Sequence, residues 1–285
     1  MEYVLAIGLD TISFVLTLVL VTLGLVIIYG MMNVINMAHG ELFLLGAYTL
    51  ATAQSVGVPF WIGILLAAII VGFVGLVIEE LVIRHVYGRP IDTILATWGL
   101  SIVIKQIIII LFGPAAVILT NPSPGAVSLA GMEYPIYRLI IMLVSLVLAA
   151  SVYAVLFRTS LGLQIRGVIA NREMAGSLGV NTRMMDRGTF VAGAGLAGVA
   201  GAVMAPIMSV DPQMGVGFLI PAFLAVLVGG LNSLLGALVG AGVIGGATTT
   251  LSSLFPQATA QIVVFLIAIV VIRRFPLGIL KGRMK

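Results

Sequence analysis

Residues 158–187 read RTSLGLQIRGVIANREMAGSLGVNTRMMDR, and they form the longest polar interval in a chain that otherwise consists of apolar runs. The interval contains five of the fourteen lysine and arginine residues, and its only acidic residues are Glu173 and Asp186. Apolar segments flank it at 137–157 and 188–208. A basic loop between two apolar segments is typical of the cytoplasmic side of a membrane protein.

The composition of the chain excludes a soluble fold. Of its 285 residues, 61% are hydrophobic and 8% are charged, whereas soluble domains carry about 25% charged residues. We therefore predict an all-α, polytopic bundle of membrane helices in a bacterial-type plasma (inner) membrane. The net charge of +4 comes from basic residues in short loops and does not indicate nucleic-acid binding. The chain has no cysteine, which excludes disulfides, thiol catalysis and cysteine-ligated metals.

Nine apolar segments approach the roughly 20 residues that one membrane span requires. Two of them are short and could be half-helices or broken helices, so we expect about eight to ten transmembrane segments. The segments cover residues 11–29, 41–56 (short), 59–83, 91–112, 137–157, 188–208, 218–230 (short), 234–251 and 257–271.

The positions of the basic residues predict the orientation of these segments. With the N-terminus outside, the inner loops hold twelve of the fourteen lysine and arginine residues, so the positive-inside rule predicts a cytoplasmic C-terminus. The outer loop at 113–136 is rich in proline and turn residues and is too small for a domain. Residues 1–285 are therefore expected to form a single membrane domain with 158–187 as its main cytoplasmic loop.

Residues 29–42 read YGMMNVINMAHGEL and place four polar side chains in a mostly apolar context: Asn33, Asn36, His39 and Glu41. Polar groups at membrane depth are costly unless they pair or line a wet cavity. One interpretation is structural: Asn36 caps a helix, and Glu41 lies in the first turns, where the helix dipole favours a carboxylate. The other is functional: the four side chains belong to the gate or path of a small polar solute.

Residues 95–101 read LATWGLS and precede Lys105. Thr97, Ser101 and Lys105 are four residues apart and share one helix face, whereas Trp98 lies on another. The functional interpretation adds Thr97, Trp98 and Ser101 to the pathway or gate. Alternatively, the hydroxyl groups bond to carbonyl groups of their own helix, and Lys105 reaches the membrane surface or pairs within the bundle.

Small residues recur at four-residue spacing in two segments. They are Gly193, Ala197 and Gly201 in one, and Gly236, Gly240, Gly242 and Gly246 in the other. The hydrophobic effect does not drive helices together in lipid, so such residues mark close backbone approach, in the bundle centre or at a partner helix. Glu80 and Arg84 are four residues apart and are expected to pair at the inner interface.

Residues 171–179, NREMAGSLG, suit a short helix that Asn171 caps and Gly179 ends. Glu173 would lie in its first turn, where the helix dipole favours an acid. A solvated loop helix is the simpler interpretation, but it does not explain why the largest inner loop is compact and helical. The chain has no GxxxxGK[ST] loop, no GxSxG sequence and no metal-ligand spacing, so no residues support an enzyme or ATP binding.

Three of these stretches resemble known membrane transporters. Residues 173–179 have the pattern E-x-A-x-x-x-G and resemble the EAA loop of ABC-importer permeases. The wider context at 162–181 and the stretch at 29–41 are similar to the branched-chain amino-acid permease family, whose pattern YG-x-x-x-x-IN-F-AHGE differs here by Met37. Residues 229–236 are similar to the GG-x-G/N-S-x-x-G pattern of the same family, with Asn232 where many relatives have Gly.

The resemblance implies an ATP-driven importer. In such transporters the permease pairs with a second, homologous permease, and an extracytoplasmic solute-binding protein delivers the substrate. Two cytosolic ATPase subunits bind ATP and Mg, whereas the permease itself binds no cofactor. The helix at 171–179 would then be the coupling helix that docks in an ATPase groove. Its coupling residues would be Asn171, Arg172, Glu173, Met174, Ala175, Leu178 and Gly179.

Residues 95–101, 171–175 and 274–278 look more like the urea-transporter branch of this family, which implies urea as the substrate. Urea is small and neutral, so its path should offer amide and hydroxyl groups rather than charges. The candidates that meet this requirement are Asn33, Asn36, Thr97 and Ser101. An amino acid or a short amide would also fit. A passive channel for small neutral solutes is the alternative of another class, and it leaves the helix at 171–179 without a role.

Overall fold

The computed structural model of the protein describes residues 2–129, 131–231 and 233–280. Within this part of the chain there are eleven α-helices and two short strands. The helices are α1 Glu2–Met32, α2 His39–Ser55, α3 Phe60–Leu81, α4 Pro90–Phe112, α5 Ile136–Arg158, α6 Ser160–Ala170, α7 Arg172–Ser177, α8 Thr182–Met204, α9 Met214–Gly229, α10 Leu234–Leu254 and α11 Gln257–Arg274. The strands are β1 Ala126–Leu129 and β2 Met132–Pro135. The predictions that involve Asn232, Lys281, Arg283 and Lys285 lie outside the described residues.

Seven of the described helices are long and apolar enough to cross a membrane: α1, α3, α4, α5, α8, α10 and α11. Two further helices, α2 and α9, have only 17 and 16 residues. The nine segments predicted from the sequence all form helices, and the two that were expected to be short are short. When α2 and α9 are counted with the other seven, the described chain has nine membrane segments, within the predicted range of eight to ten.

The all-helical fold class is confirmed, and the small amount of strand in the described chain lies in the loop between α4 and α5. There β1 and β2 form an antiparallel hairpin in which Ala126 lies opposite Pro135. Nearby, Val117 and Val210 exchange backbone hydrogen bonds of 2.8 and 2.9 Å, which tie this loop to the connection between α8 and α9. The prolines and turn residues of the loop disfavour a helix, so its backbone groups pair with each other instead.

Helix α1 lies at the centre of the bundle, where it contacts α5, α8, α9 and α10. Most of its side chains between Leu18 and Ile28 are buried, and Leu18, Leu20 and Ile28 are fully enclosed. Such a helix is apolar on all sides, as expected for one that is surrounded by other helices. Helix α8 packs directly against it and is buried over most of its length.

Glycine residues allow α1, α2 and α8 to approach each other closely. A Cβ atom on Gly24 would lie 2.6 Å from the carbonyl oxygen of Gly193, and one on Gly46 would overlap the carbonyl oxygen of Gly198. The small residues predicted for close packing in α8 are buried as expected: Gly193, Ala197 and Gly201. This contact joins the centre of the bundle in the way that small residues join helices in lipid.

The two glycine pairs of α10 differ in their surroundings. Gly236 and Gly240 pack against α9, so closely that a Cβ atom on Gly240 would overlap a carbonyl oxygen. Among the described residues, a Cβ atom on Gly242 would meet nothing within 4 Å, and one on Gly246 would have its nearest contact at 3.9 Å. The predicted close approach within the bundle is therefore confirmed for the first pair and is not found for the second, for which packing against a partner helix stays a prediction.

Basic side chains separate to one end of the bundle, although several acidic side chains, among them Glu80 and Asp186, pair with them there. The end that carries α6 and α7 also carries Arg84, Arg89, Arg158, Arg166, Arg172, Arg183, Arg187, Arg273 and Arg274. We call it the basic end. At the opposite end Asp10 pairs with Arg138 and accepts a hydrogen bond of 3.1 Å from Tyr134, and burial raises the pKa of Tyr134 to about 12. The separation agrees with the positive-inside rule, while the cytoplasmic location of the basic end stays a prediction.

We predict that Gly46→Ala destabilises the bundle by about 1–3 kcal/mol, because the added methyl group would push α2 away from α8. Gly242→Ala is the matched control, since the same methyl group would enter open space, and it should leave stability equal or slightly higher. The measurement is the fraction of purified protein in detergent that stays monodisperse after heating. Equal effects of the two substitutions would contradict this account of the packing.

Candidate functional site

The polar stretch between α1 and α2 starts with Asn33, the first residue after α1. Asn33 has a left-handed backbone with a φ of 53°, and its N–H donates to the carbonyl oxygen of Tyr29 at 2.7 Å. Asparagine is one of the few residues other than glycine that adopt this conformation readily. The side chain of Asn33 is exposed, so the structure places it outside the buried group of polar side chains that follows it.

Helix α2 begins inside the bundle, beside the middle of α1. The Nε2–H of His39 donates to the carbonyl oxygen of Val21 at 3.0 Å, and Val21 lies about 16 Å along α1 from its last residue, Met32. Residues 33–38 therefore turn back along α1 before α2 starts, and we call them the re-entrant segment. Non-helical backbone occurs at membrane depth only where it is buried in protein or lines a cavity.

Asn36 is fully buried within the re-entrant segment. Its Oδ1 accepts the N–H of Ala38 at 3.0 Å, which closes a tight turn ahead of α2. The N-cap position of α2 is occupied by Ala38, and in the described chain no side chain caps this helix. The prediction that Asn36 is the N-cap is therefore wrong, because its side chain serves the preceding turn. Glu41 does lie in the first turn of α2, as predicted.

Helix α4 turns a polar stripe towards the re-entrant segment and the start of α2. Thr97 accepts the N–H of Met37 at 3.0 Å and donates to a carbonyl oxygen of its own helix at 2.7 Å. Ser101 donates to Oε1 of Glu41 at 2.8 Å, and Nζ of Lys105 lies 3.5 Å from the same oxygen. The shared face that the spacing predicted is confirmed. For Thr97 the structural interpretation is confirmed, since its hydroxyl donates to a carbonyl group of its own helix. Its place in a pathway or gate stays a prediction.

Trp98 is separate from this group, because its indole is 56% exposed on the outer surface of α4. The structure brings the other candidates together and adds Lys105 to them. The resulting α2–α4 polar cluster consists of Asn36, His39, Glu41, Thr97, Ser101 and Lys105. Four of these side chains have no exposed surface at all: Asn36, His39, Glu41 and Thr97.

Three atoms of the α2–α4 polar cluster have no hydrogen-bonding partner among the residues that the structure describes. They are Nδ2 of Asn36, Nδ1 of His39 and Oε2 of Glu41. An unpartnered buried polar group costs about 1–3 kcal/mol. Because Nε2 of His39 donates its hydrogen to Val21, the neutral imidazole offers Nδ1 as an acceptor. The unpartnered atoms are thus two acceptors and one donor. His39 faces Val21 of α1, whereas Glu41 faces Ser101 and Lys105 of α4.

At the basic end, the long polar loop folds into α6 and α7 and leads into α8. Asn171 accepts the N–H of Met174 at 2.9 Å and so caps α7, and Gly179 ends the turn that follows with a φ of 86°. The predicted cap and end of this short helix are confirmed. Thr159 and Asn181 cap α6 and α8 in the same way. Helix α6 was not predicted from the sequence, although Thr159 ahead of an apolar run with helical period is typical of a helix start.

One ion pair fixes α7 to the rest of the bundle. Arg172 donates hydrogen bonds to both carboxylate oxygens of Asp186 in α8, and its Nη1 lies 3.5 Å from the carbonyl oxygen of Met31 in the last turn of α1. Asp186 is only 1% exposed. The side chain of Arg172, predicted to contact an ATPase, is thus directed towards the bundle.

The opposite surface of α7 is open. Ala175 is buried beneath the helix, whereas Met174 and Leu178 are 59% and 78% exposed. The remaining residues predicted for coupling are exposed as well: Asn171, Glu173 and Gly179. A capped, anchored helix therefore presents two large apolar side chains on the basic end of the bundle.

A second ionic network lies beside this helix. Glu80 pairs with three arginine residues, which are Arg84, Arg183 and Arg187. The predicted Glu80–Arg84 pair is confirmed, and the arginines from α8 extend it. Tyr87 donates to Glu79 at 2.6 Å, and burial together with this bond holds the pKa of Tyr87 above its usual range. An open cavity of about 380 Å³ lies beside this network, between the end of α3, α7 and α8. Its lining residues are Glu79, Arg84, His85, Tyr87, Arg172, Arg183 and Asp186.

Comparison with known proteins identifies relatives along nearly the whole chain. The family described as "Branched-chain amino acid transport system / permease component" matches residues 8–272. The high-affinity branched-chain amino acid transport system permease protein LivH of Salmonella typhimurium is 27% identical over 280 residues, which cover 93% of this chain and 91% of LivH. The protein BraD of Pseudomonas aeruginosa, described in the same words, is 27% identical over 281 residues with the same coverage.

A more distant relative comes from Methanocaldococcus jannaschii. Its probable branched-chain amino acid transport permease protein LivH is 25% identical over 240 residues, 80% of this chain and 75% of the relative. Among solved structures, PsaBC from Streptococcus pneumoniae in complex with Fab has a TM-score of 0.56 over 92% of this chain and 90% of that chain. With 14% identity, this likeness concerns the fold.

We predict that Arg172→Ala destabilises the protein by about 3–5 kcal/mol, because it leaves the buried Asp186 without its cation. Arg183→Ala is the control: Arg183 is mostly exposed and Glu80 keeps two other arginines, so the cost should be below about 1 kcal/mol. Adding Asp186→Asn to Arg172→Ala should restore part of the loss. Thermal stability in detergent measures all three, and a double variant as unstable as the sum of its single variants would refute the pairing.

Proposed function

Since the chain belongs to the family of branched-chain amino acid transport system permease components, we propose that it is the membrane subunit of an ATP-driven importer of amino acids. The relatives named above are transport permeases, and the chain is a multi-pass membrane protein with seven long apolar helices. The protein lies in the inner membrane, and in this proposal its basic end faces the cytoplasm.

The observation that carries the proposal is the way in which α7 is held. The helix is capped at Asn171, tied by Arg172 to α8 and to the last turn of α1, and apolar on its open side through Met174 and Leu178. An exposed apolar pair on a rigid helix outside the membrane segments fits a groove of another subunit. A movement of that groove would be transmitted through Arg172 to two membrane helices.

The rest of the transporter is what membership in this permease family implies, and the chain has no phosphate-binding loop of its own. Two cytosolic ATPase subunits would bind ATP and Mg and receive α7 as the coupling helix. A second, homologous permease would complete the pathway, and an extracytoplasmic solute-binding protein would deliver the substrate. ATP binding would then drive transport because the ATPases contact the inward-open and outward-open permease differently.

Amino acids are the substrate class that we propose. The relatives are named for branched-chain amino acids, and the α2–α4 polar cluster contains a carboxylate and an amine, Glu41 and Lys105. A zwitterion carries charges of both signs that such a cluster can match, whereas a path for urea requires neutral amide and hydroxyl groups. Urea, which the sequence predicted, is the competing hypothesis.

We predict that Leu178→Asp abolishes association with the ATPase subunits, because it places a charge where α7 would enter an apolar groove. Ile118→Asp is the matched control, since Ile118 is 86% exposed in the loop at the opposite end of the bundle. Co-purification of the ATPases with each variant measures the effect. Retention of the ATPases by Leu178→Asp, or their loss in both variants, would refute the coupling role.

We predict ATP-dependent uptake of labelled leucine by proteoliposomes that contain both permeases, the ATPases and the binding protein. Labelled urea should not compete with leucine or accumulate in its place. Uptake of urea alone would replace our proposal by the urea branch. Flux that persists without ATP, and that Leu178→Asp leaves unchanged, would replace it by a passive channel.

A further inference from the structure

We propose that the carboxylate of Glu41 is the subsite that binds the ammonium group of the transported amino acid, and that Lys105 occupies this subsite in its absence. The inference rests on the proposed function and deepens it, since it assigns one substrate group to one residue. During transport, the ammonium group of the substrate would replace that of Lys105 at the buried carboxylate of Glu41.

Burying the carboxylate of Glu41 costs free energy. Its side chain has no exposed surface, and it lies in the first turn of a helix that begins in the middle of the bundle. A carboxylate in such a place needs a cation or several donors. The positive end of the α2 dipole and the hydroxyl of Ser101 supply part of this stabilisation, and within the described chain the only ion-pair partner of Glu41 is Lys105.

The ion pair between Lys105 and Glu41 is long. Nζ lies 3.5 Å from Oε1, whereas charge-assisted hydrogen bonds between nitrogen and oxygen are about 2.7–2.9 Å long. The Lys105 side chain is 21% exposed, while that of Glu41 is 1% exposed, so the amine approaches from the open edge of the cluster. Its flexible four-carbon stem allows the amine to withdraw without moving α4.

Helix α4 has other attachments beside this ion pair. Thr97 bonds to the backbone of Met37, and Ile104 and Ile108 are buried on the same side of α4. Withdrawal of the amine would leave these contacts in place.

The charged groups of an amino acid complement those of Glu41 and Lys105. An α-amino acid carries an ammonium group with three donors and a carboxylate that only accepts. The unpartnered oxygen of Glu41, Oε2, can only accept. The ammonium group matches this carboxylate, and the carboxylate of the amino acid matches the displaced amine of Lys105. A neutral solute such as urea would leave the charge of Glu41 unpaired once Lys105 withdrew.

The test uses the complete importer in proteoliposomes and the paired variant Glu41→Gln/Lys105→Gln, which leaves no unpaired charge. We expect it to assemble with the ATPases, as measured by co-purification, while leucine uptake falls about tenfold or more, the loss of about 1.4 kcal/mol or more of binding. The control pair Asp10→Asn/Arg138→Gln removes another charge pair outside the cluster and should change uptake less than about twofold. Wild-type uptake by the double variant would show that the pair is structural and overturn the inference.

Labelling provides a second test that does not depend on folding of the double variant. The chain has no cysteine, so Ser101→Cys places a single thiol beside Glu41, and the unsubstituted complex measures the background from other subunits. We expect the cationic aminoethyl methanethiosulfonate to react at least about tenfold faster than the anionic sulfonatoethyl reagent, and leucine to slow the reaction. Equal rates for the two reagents, or no protection by leucine, would overturn the inference.

The proposed function and the inference fail differently. If the wild-type importer takes up urea and not leucine, the proposed function fails and the ammonium subsite fails with it. If the wild-type importer takes up leucine and the paired glutamine variant does so equally well, the function stands and only the role of Glu41 is lost.

Discussion

The re-entrant segment between α1 and α2 exists only because neighbouring groups satisfy its backbone. In lipid an unpaired N–H or C=O group costs several kcal/mol, so irregular backbone at depth needs partners from the protein. Thr97 accepts the N–H of Met37, and Asn36 accepts that of Ala38. The imidazole of His39 fills the space beside Gly24, where a Cβ atom would lie 3.1 Å from its Cε1.

This arrangement also joins α7 to the re-entrant segment. The last turn of α1 touches Arg172 through the carbonyl oxygen of Met31, and the re-entrant segment begins two residues later at Asn33. A displacement of α7 relative to α8 would act on Arg172, which contacts α8 and α1 together. The contact gives α7 a direct mechanical link to the segment that carries Asn36 and leads to His39.

Local features of this fold could be predicted from the sequence, and contacts between distant segments could not. The apolar segments and the ends of α7 depend on hydropathy, on Asn171 and on Gly179, all of which act over a few residues. The partner of Arg172 is Asp186, in a different helix, and no spacing rule connects them. Gly240 and Gly242 look alike in sequence, but only the first meets another helix.

The same limit explains the error at Asn36. An asparagine ahead of a helix can cap it or can close the turn that precedes it, and both uses satisfy a backbone N–H group. The direction of the chain decided between them, because the segment turns back into the bundle and needs the bond to Ala38. That direction depends on the packing of α1 against α8, which the local sequence does not reveal.

The buried carboxylates of the protein differ in how completely they are compensated. At the basic end, Asp186 receives two hydrogen bonds from one guanidinium, and the partly exposed Glu80 has three arginine partners. The buried Glu79 has the hydroxyl of Tyr87 and an arginine nitrogen 3.8 Å away, and its Oε2 has no hydrogen-bonding partner among the described residues. Glu41 has one hydroxyl and one distant amine, and one of its oxygens has no hydrogen-bonding partner among the described residues. Pairs that hold helices together gain from complete compensation. An incompletely compensated carboxylate in the middle of the bundle destabilises the fold, and such departures from local consistency are expected where a ligand completes the site.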